Sequence, residues 1–422
     1  MIVELVNTGT ELMLGRVLNS HQQWLCRQLA DLCYLVTRQL AVADSSPEIE
    51  QAVRESLARA DLVITTGGLG PTSDDLTRDR IAQMLGKELR EDPVVLERIK
   101  QFFAARNRPM PVRNRVQAQV PEGALVLANP NGTAPGLALE ARPNPFRDSG
   151  TPSWLVLLPG PPRELQPMFK DAVVPLLQRV FPQKDSFICH TLRTVGVGES
   201  ALQEKIEGPL DRLVEAGLDL GYCARLGRVD VRLAARGGNA AKLVSEAEAI
   251  VRAQLDLRIF GTGDEELEAV VIRLLAERRQ TLAVAESCTG GCIADRLTDV
   301  PGASAVFRAG LVTYGNEAKQ RLLGVRAATL DHHGAVSEAV AREMAEGARR
   351  VNDTDYAMAV TGIAGPAGGT PEKPVGTVYI ALASGQGTQV EKRFNAWDRR
   401  AFKEVTAGQA LDQLRLLLQA SK

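Results

Sequence analysis

The chain has 422 residues, a formal net charge of −1 and a composition that is 45% hydrophobic and 24% charged. Its length predicts two or three domains, because single hydrophobic cores rarely exceed about 250–300 residues. Near-neutral charge and an aromatic content of 4% argue against a general nucleic-acid binder, which needs a basic surface or stacking side chains. The six cysteines fit no disulfide or zinc framework, and no apolar run approaches the roughly 18 residues of a membrane span, so we expect a cytoplasmic protein.

Strands and helices alternate along the first part of the chain. The predicted elements are, in order, a strand at Ile2–Val6, a helix at Ser20–Leu32, a strand at Leu35–Val42, a helix at Pro47–Ala60, a strand at Leu62–Thr65, helices at Leu76–Leu85 and Pro93–Ala105, strands at Leu137–Glu140 and Trp154–Leu158, and a helix from Pro162 to Arg179. This alternation predicts an α/β domain at residues 1–180, with a parallel sheet and helices on both faces.

A smaller unit follows at residues 181–260. Its predicted elements are a strand at Ile188–Val195, a helix at Ser200–Ala216, strands at Leu218–Ala224 and Arg228–Ala235, and a helix at Ala240–Gln254. Residues 261–422 alternate again and end in a helix at Ala401–Gln419. The chain therefore predicts two three-layer α/β domains joined by a small α+β connector.

Ser287 lies at a strand-to-helix turn of the third unit. A buried strand is predicted at Leu282–Ala285 and a helix at Cys292–Leu297, so the hydroxyl is expected at the edge of the sheet. Three residues of this turn offer backbone N–H groups that would hold an oxyanion: Thr289, Gly290 and Gly291. The turn thus combines a candidate nucleophile with a candidate oxyanion site.

The predicted base for Ser287 is Lys319. A serine nucleophile needs an adjacent base, and the chain has four histidines, none in an obvious base context: His21, His190, His332 and His333. Lys319 follows a strand predicted at Leu311–Tyr314, and burial lowers the pKa of a lysine toward a useful range. Tyr314 would relay a proton or orient the pair.

Residues near two other strands complete the predicted site. Thr361, Gly362 and Gly365 follow a buried strand at Ala357–Val360, and Arg399 precedes the last helix. The glycine loop and Arg399 would hold a substrate anion, such as a phosphate. Together, the predicted nucleophile, base, oxyanion donors and anion-binding residues suit acyl chemistry on an amide or ester.

Structural alternatives stand beside this interpretation. Ser287 as a helix N-cap, Lys319 as a surface lysine and the glycines as turn residues would each explain the same pattern. Cys288 is a competing nucleophile, since a thiol is intrinsically stronger than a hydroxyl.

Three motifs stand in register between Glu265 and Leu418: Ala285-Glu-Ser-Cys-Thr-Gly-Gly291, Tyr314-Gly-Asn-Glu-Ala-Lys319, and Val360-Thr-Gly-Ile-Ala-Gly-Pro366 with Lys373-Pro-Val-Gly-Thr377. They resemble the CinA C-terminal domain family, the PncC-type nicotinamide mononucleotide amidohydrolases. The resemblance implies hydrolysis of nicotinamide mononucleotide to nicotinate mononucleotide and ammonia without a cofactor. It implies Ser287 as nucleophile and Lys319 as base, with Tyr314, Thr361 and Arg399 as site residues. Position 397 departs from the family, which usually reads Gly-Asp-Arg where this chain has Trp397-Asp398-Arg399.

A second glycine-rich loop follows the strand at Leu62–Thr65. Six residues of this loop and of the later turn at Leu158–Pro162 would bind a phosphate through their N–H groups: Thr66, Gly67, Gly68, Gly70, Thr72 and Gly160. Asp74 and Asp75, facing a phosphate, would hold a divalent cation. A plain glycine turn with aspartates at a helix N-terminus is the alternative.

Four motifs carry a resemblance over the first unit: Gly9-Thr10-Glu11-Leu12, the loop through Asp75, Asn131-Gly-Thr-Ala-Pro-Gly136 and Leu158-Pro-Gly-Pro-Pro-Arg-Glu164. They resemble the molybdopterin-binding-domain fold of CinA proteins, and the whole chain resembles a full-length member. The resemblance implies a metal-dependent pyrophosphatase on ADP-ribose or a related dinucleotide, a KH-like connector and a homodimer. The connector lacks a basic Gly-x-x-Gly loop, which argues against nucleic-acid binding there. A molybdopterin-binding protein, or an accessory protein of competence or recombination, are the other hypotheses.

Overall fold

The computed structural model describes residues 1–183 and 186–420 and divides into two units, Met1–Phe187 and Ile188–Lys422. In the first unit the strands are β1 (Val3–Thr8), β2 (Val36–Val42), β3 (Leu62–Thr66), β4 (Leu89–Glu91), β5 (Gln119–Pro121), β6 (Leu125–Leu127), β7 (Gly136–Ala141) and β8 (Ser153–Leu158). The helices are α1 (Thr10–Met13), α2 (Ser20–Asp31), α3 (Ser46–Leu57), α4 (Thr77–Met84), α5 (Pro93–Ala104), α6 (Pro162–Met168) and α7 (Val174–Val180).

The main sheet of this unit has the order β2-β1-β3-β8-β7-β6. The first four strands are parallel, whereas β7 runs antiparallel to both β8 and β6. The prediction of a parallel sheet was therefore only partly right. The connection between β7 and β8 contains no helix, and a parallel pair needs a crossover that returns the chain to the same end of the sheet.

Both faces of this sheet are covered, which gives three layers. One core cluster joins β1 and β3 to α2 and α6, through residues such as Leu5, Leu29 and Leu165. A second cluster joins the other face to α3 and α4, through Val53 and Ile81. The helix predicted from Pro162 to Arg179 is interrupted by a π-type turn at Phe169–Val173, just before Pro175, which has no N–H to continue the α-helical ladder.

Strands of the remaining chain are β9 (Phe187–Val195), β10 (Asp219–Arg225), β11 (Arg228–Arg236), β12 (Ile259–Thr262), β13 (Leu282–Glu286), β14 (Phe307–Val312), β15 (Tyr356–Gly362), β16 (Thr377–Ser384) and β17 (Gly387–Phe394). Its helices are α8 (Glu199–Glu215), α9 (Ala240–Leu255), α10 (Leu267–Arg278), α11 (Cys292–Thr298), α12 (Asn316–Leu323), α13 (Ala327–His333), α14 (Glu338–Asn352) and α15 (Arg399–Ala420). His332 and His333 are the last two residues of α13.

These strands form two sheets within residues 187–394. The sheet β10-β11-β9-β12 packs on α8 and α9, as expected for the α+β connector. The sheet β14-β13-β15-β16-β17 has α10 and α15 on one face and α14 on the other. The predicted fold class, two three-layer α/β domains with a small α+β connector, is confirmed.

The register of the second sheet positions the candidate site. β13 pairs in parallel with β14 and β15, so that Glu286 lies opposite Val312 on one side and Val360 on the other. The segments that leave these three strands therefore emerge side by side at one edge. No helix within residues 1–183 or 186–420 combines the length and apolar character needed to span a membrane.

Candidate active site

Ser287 is the first residue after β13 and is 9% exposed. Its backbone N–H donates to the carbonyl of Val360 at 3.0 Å, which ties the turn to the neighbouring strand. Gly290 and Gly291 follow with φ angles of +60° and +97°, a conformation that favours glycine. The hydroxyl is therefore held at the sheet edge on a fixed backbone, as the sequence predicts.

The amine of Lys319 lies 3.1 Å from the Ser287 hydroxyl oxygen. Lys319 sits in the first turns of α12, and because helical side chains tilt toward the helix N-terminus, it reaches back to the segment after β14. There Nζ donates to the carbonyls of Thr313 at 2.8 Å and Tyr314 at 3.2 Å. The side chain is 1% exposed and makes no ion pair in the described part of the chain.

Burial lowers the pKa of Lys319, because a desolvated ammonium has lost the stabilisation of water. A buried lysine without a carboxylate partner is uncommon in a purely structural role, since burying an uncompensated charge is costly. This perturbed group beside a hydroxyl marks the edge of the sheet as a functional site.

Cys288 does not compete as a nucleophile in this geometry. Burial raises the pKa of its thiol to about 12, so the reactive thiolate is scarce near neutral pH. Nor does a histidine supply the base: neither His332 nor His333 makes a hydrogen bond to Ser287 within residues 1–183 and 186–420. The hydroxyl and the amine remain the candidate reactive pair.

Glu286 is a site residue that the sequence reasoning missed. It is fully buried, and its carboxylate accepts from the amides of Gly291 at 3.0 Å, Ile293 at 3.1 Å and Ala294 at 2.9 Å. It therefore caps α11 from the residue just before Ser287 and locks the turn. The signal in the sequence was a carboxylate, Glu286, as the last residue of an otherwise apolar strand.

Two of the three amides predicted as oxyanion donors are engaged within the turn. The Gly290 amide donates to the carbonyl of Ser287 at 3.1 Å, and the Gly291 amide is held by the carboxylate just described. Among the described residues, the amides of Cys288 and Thr289 donate to no carbonyl or carboxylate oxygen. Of the three predicted donors only Thr289 is available, and Cys288 joins it.

The side chains of Tyr314 and Arg399 are in contact, but Tyr314 lies outside the strand in which it was predicted. The strand β14 ends at Val312 rather than at Tyr314, and the phenol is 59% exposed. Arg399 donates to the Tyr314 hydroxyl at 2.6 Å and to the carbonyl of Gly365 at 2.9 Å. The Tyr314 backbone carbonyl, not its phenol, orients the lysine amine.

The remaining predicted residues shape the site. The Thr361 hydroxyl donates to the carbonyl of Ala335 at 2.8 Å, so it is engaged within the fold. Gly362 ends β15, where a Cβ would lie 2.8 Å from the carbonyl of Thr377. Arg399 is the first residue of α15, whose N-terminus is capped by Asp398 through the amides of residues 400 and 401.

The glycine loop of the first unit is closed by internal contacts. Gly67 and Gly68 have φ angles of +97° and +66°, and a Cβ on Gly68 would lie 2.0 Å from the Thr77 hydroxyl. The Gly67 amide donates to the last carbonyl of β8, and the Thr66 hydroxyl donates to Asn7 at 2.9 Å. Two of the predicted phosphate ligands are thus engaged in the fold.

The two aspartates of this loop differ in their surroundings. Thr72 donates to Asp75 through its amide at 2.9 Å and its hydroxyl at 2.5 Å, and a Cβ on Gly70 would overlap that carboxylate. Asp74 is exposed, and hydrogen bonding from Thr72 lowers the pKa of its carboxyl. A Cβ on Gly160 would meet only the Gly67 backbone, at 3.8 Å, so this glycine borders the loop.

The two carboxylates match the donor type of a hard divalent cation, which often takes one or two carboxylates and fills its remaining positions with water and substrate phosphate. Within residues 1–183 and 186–420 no cluster of three or more histidine, cysteine, aspartate or glutamate side chains forms a metal site. Asp74 and Asp75 supply two carboxylates of such a donor set, and Asp74 is exposed.

One cleft of the second unit is lined by residues of α11 and α15. It has a volume of 1380 Å³ and lies between the connector and helices α11 and α15. Trp397 and Cys292 line it, whereas Ser287 and Lys319 do not. The size of this cleft therefore does not identify the candidate reactive centre. The buried pair of Ser287 and Lys319 does.

Replacing Glu286 tests whether this carboxylate holds the turn. Glu286→Ala leaves three amides without their charged acceptor, and we expect the free energy of unfolding to fall by about 3 kcal/mol. Urea unfolding followed by circular dichroism measures this. Glu317→Ala is the matched control, since Glu317 is 88% exposed and its one ion pair among the described residues, with Arg321, is worth about 0.5 kcal/mol at most. Equal midpoints for the two variants would contradict the assignment.

Three family models match the chain. The probable molybdopterin binding domain matches residues 4–179, the damage-inducible protein CinA KH domain residues 189–261, and the CinA C-terminal domain residues 264–418. A solved structure of the competence/damage inducible protein CihA from Agrobacterium tumefaciens is 41% identical. That match covers 36% of this chain and 93% of that chain, with a TM-score of 0.35.

Curated relatives match over nearly the whole length. A CinA-like protein of Akkermansia muciniphila is 46% identical over 412 residues, which are 97% of this chain and 95% of that protein. A protein of Symbiobacterium thermophilum described as competence-damage inducible is 44% identical over 431 residues, 99% of each chain. The chain therefore belongs to the CinA family and carries molybdopterin-binding-like, KH and CinA C-terminal domains.

Proposed function

We propose that the C-terminal domain hydrolyses the amide of nicotinamide mononucleotide to nicotinate mononucleotide and ammonia. The observation that carries this proposal is the buried Lys319 amine 3.1 Å from the Ser287 hydroxyl. The resemblance of the motifs around Ser287, Lys319 and Thr361 to PncC-type amidohydrolases supports the choice of amide. No cofactor is needed for this reaction.

The contacts of Lys319 suit a base. A neutral amine has two N–H groups and one lone pair, and the carbonyls of Thr313 and Tyr314 accept two hydrogens. The lone pair is then directed at the Ser287 hydroxyl. Burial favours this neutral form, so that the amine is ready to take a proton.

In the proposed reaction the Ser287 oxygen attacks the carboxamide carbon while its proton passes to Lys319. The amides of Cys288 and Thr289 stabilise the resulting oxyanion. The ammonium of Lys319 then returns the proton to the leaving nitrogen, and ammonia departs from an ester on Ser287. Water, deprotonated by the same amine, hydrolyses this ester to the carboxylate product.

Arg399 suits the anionic part of such a substrate. Its guanidinium bonds only to uncharged oxygens, those of Gly365 and Tyr314, and makes no ion pair in the described residues. Several other arginines of the domain pair with carboxylates, as Arg326 does with Glu343, whereas Arg349 and Arg350 bond to carbonyl oxygens. An arginine without a carboxylate partner at the site retains its charge for a phosphate.

Removing either member of the pair tests the proposal. Ser287→Ala and Lys319→Met are each expected to lower kcat for ammonia release from nicotinamide mononucleotide by about 10³-fold or more, because the nucleophile and its base act as a unit. Ser304→Ala, an exposed serine of the same domain, is the control and should retain activity. Substantial ammonia release by Ser287→Ala would exclude this serine as the nucleophile.

The pH dependence follows from the direction of the Lys319 shift. The reaction needs the neutral amine, so kcat/KM should rise with pH through the lowered pKa of Lys319 and level off below its ordinary value of 10.5. The unfolded chain binds this proton more tightly than the folded chain, so the free energy of unfolding also rises with pH across that window. A kcat/KM that falls as pH rises through this window would contradict a neutral base.

We infer a second activity for the N-terminal domain, metal-dependent hydrolysis of the pyrophosphate bond of ADP-ribose or a related dinucleotide. The left-handed glycines Gly67 and Gly68, directly after β3, favour a phosphate-binding loop. Asp74 and Asp75 would hold the cation, which would neutralise charge on the pyrophosphate. Binding of molybdopterin, the competing hypothesis for this fold, is tested directly with the pterin.

Substitution of the aspartates tests this second activity. Asp74→Ala and Asp75→Ala should each reduce Mg²⁺-dependent release of AMP from ADP-ribose by about 10²-fold, since each removes one cation ligand. Asp171→Ala is the control, since Asp171 is an exposed aspartate of the same unit outside the loop. Absence of AMP release by the wild-type chain with Mg²⁺ or Mn²⁺ would remove the activity itself.

A further inference from the structure

Lys403 is a second cation on the same side of α15 as Arg399. The two residues are four positions apart, and residues at that spacing share a helix face. A Cβ built on Gly290 would lie 3.7 Å from the Lys403 Nζ. The ammonium therefore lies over the turn that carries Ser287, and the missing side chain at Gly290 leaves it accessible from that turn.

The charge of Lys403 is not compensated. Lys403 makes no hydrogen bond or ion pair within residues 1–183 and 186–420, whereas the adjacent Arg400 donates to Glu404 at 3.2 Å. The carboxylate closest in sequence to the reactive serine, Glu286, is fully buried and already accepts three amides. The positive charge of Lys403 at this edge of the sheet is therefore available to an anion from outside the chain.

We propose that Lys403 binds the substrate phosphate together with Arg399 and makes the site prefer a nucleotide over the corresponding nucleoside. Arg399 presents a planar fork and Lys403 a compact point charge, and a phosphate with several oxygens accepts from both. Lys403 then contributes to substrate binding rather than to proton transfer at Ser287. This inference rests on the proposed amidase activity for the identity of the nucleotide.

The test compares Lys403→Met with two matched variants. For nicotinamide mononucleotide we expect KM to rise about 10- to 100-fold with kcat nearly unchanged, as for the loss of one charged hydrogen bond. Lys403→Arg should restore most of the affinity. Arg400→Met removes the same charge from the same helix on a side chain that is 91% exposed, and should leave KM unchanged.

Two further measurements assign the effect to the phosphate. Turnover of nicotinamide riboside, which lacks the phosphate, should be the same for wild type and Lys403→Met. Ribose 5-phosphate binding, followed by calorimetry on the full chain, should weaken in Lys403→Met, and the difference reports this site because the N-terminal unit is unchanged.

The possible outcomes separate the role of Lys403 from the amidase proposal. Equal effects of Lys403→Met and Arg400→Met, or an equal loss with nucleotide and nucleoside, would overturn the role of Lys403. If the wild type releases no ammonia but Lys403→Met still loses ribose 5-phosphate binding, the amidase proposal fails while the phosphate site stands. Unchanged ribose 5-phosphate binding in Lys403→Met overturns the phosphate site whatever the activity.

Discussion

The contact between the Lys319 amine and the two carbonyls that follow β14 is the constraint on which the candidate site depends. These carbonyls belong to Thr313 and Tyr314, which directly follow the last residue of β14, Val312. The Thr313 amide still donates to the carbonyl of Glu286 at the end of β13, at 2.8 Å, which holds this segment beside the Ser287 turn. Both carbonyls lie beyond the strand and accept from the Lys319 amine. The end of one strand therefore fixes the orientation of the amine toward a serine on the next.

A buried carboxylate and a buried amine lie in the same corner of the domain without forming an ion pair. Glu286 is surrounded by backbone amides of α11, whereas Lys319 is surrounded by carbonyl oxygens. The polar groups of Glu286 and Lys319 are thus hydrogen-bonded to the backbone rather than to each other. This separation matters chemically, because a carboxylate paired with Lys319 would stabilise its protonated form and remove the base.

Much of this arrangement was predictable from the sequence, because it follows from where strands end. Ser287, Lys319 and Arg399 were predicted from residue type and position after or beside strands, and the structure brings the first two into hydrogen-bond contact. Thr361 follows the same rule, but its hydroxyl is turned into the fold. Strand ends predict which segments meet, not which side chain or amide points into the site.

The remaining features depend on contacts that no local pattern reveals. Which amides of the 287–291 turn are free depends on a carboxylate that reaches forward from β13 to cap α11. The position of Lys403 depends on how α15 packs across the sheet, and its sequence neighbours give no sign of it. The antiparallel strand β7 was likewise misjudged, since strand periodicity does not specify direction.

The protonation state of Lys319 tests the central claim most directly. Nuclear magnetic resonance of the chain labelled with ¹³C at the lysine ε-carbons, with the Lys319 signal assigned from the spectrum of Lys319→Met, follows this amine as pH is raised. The account predicts a titration midpoint below the ordinary value of 10.5 that coincides with the rise of kcat/KM. An amine that stays protonated to 10.5 or above would contradict a buried neutral base beside Ser287.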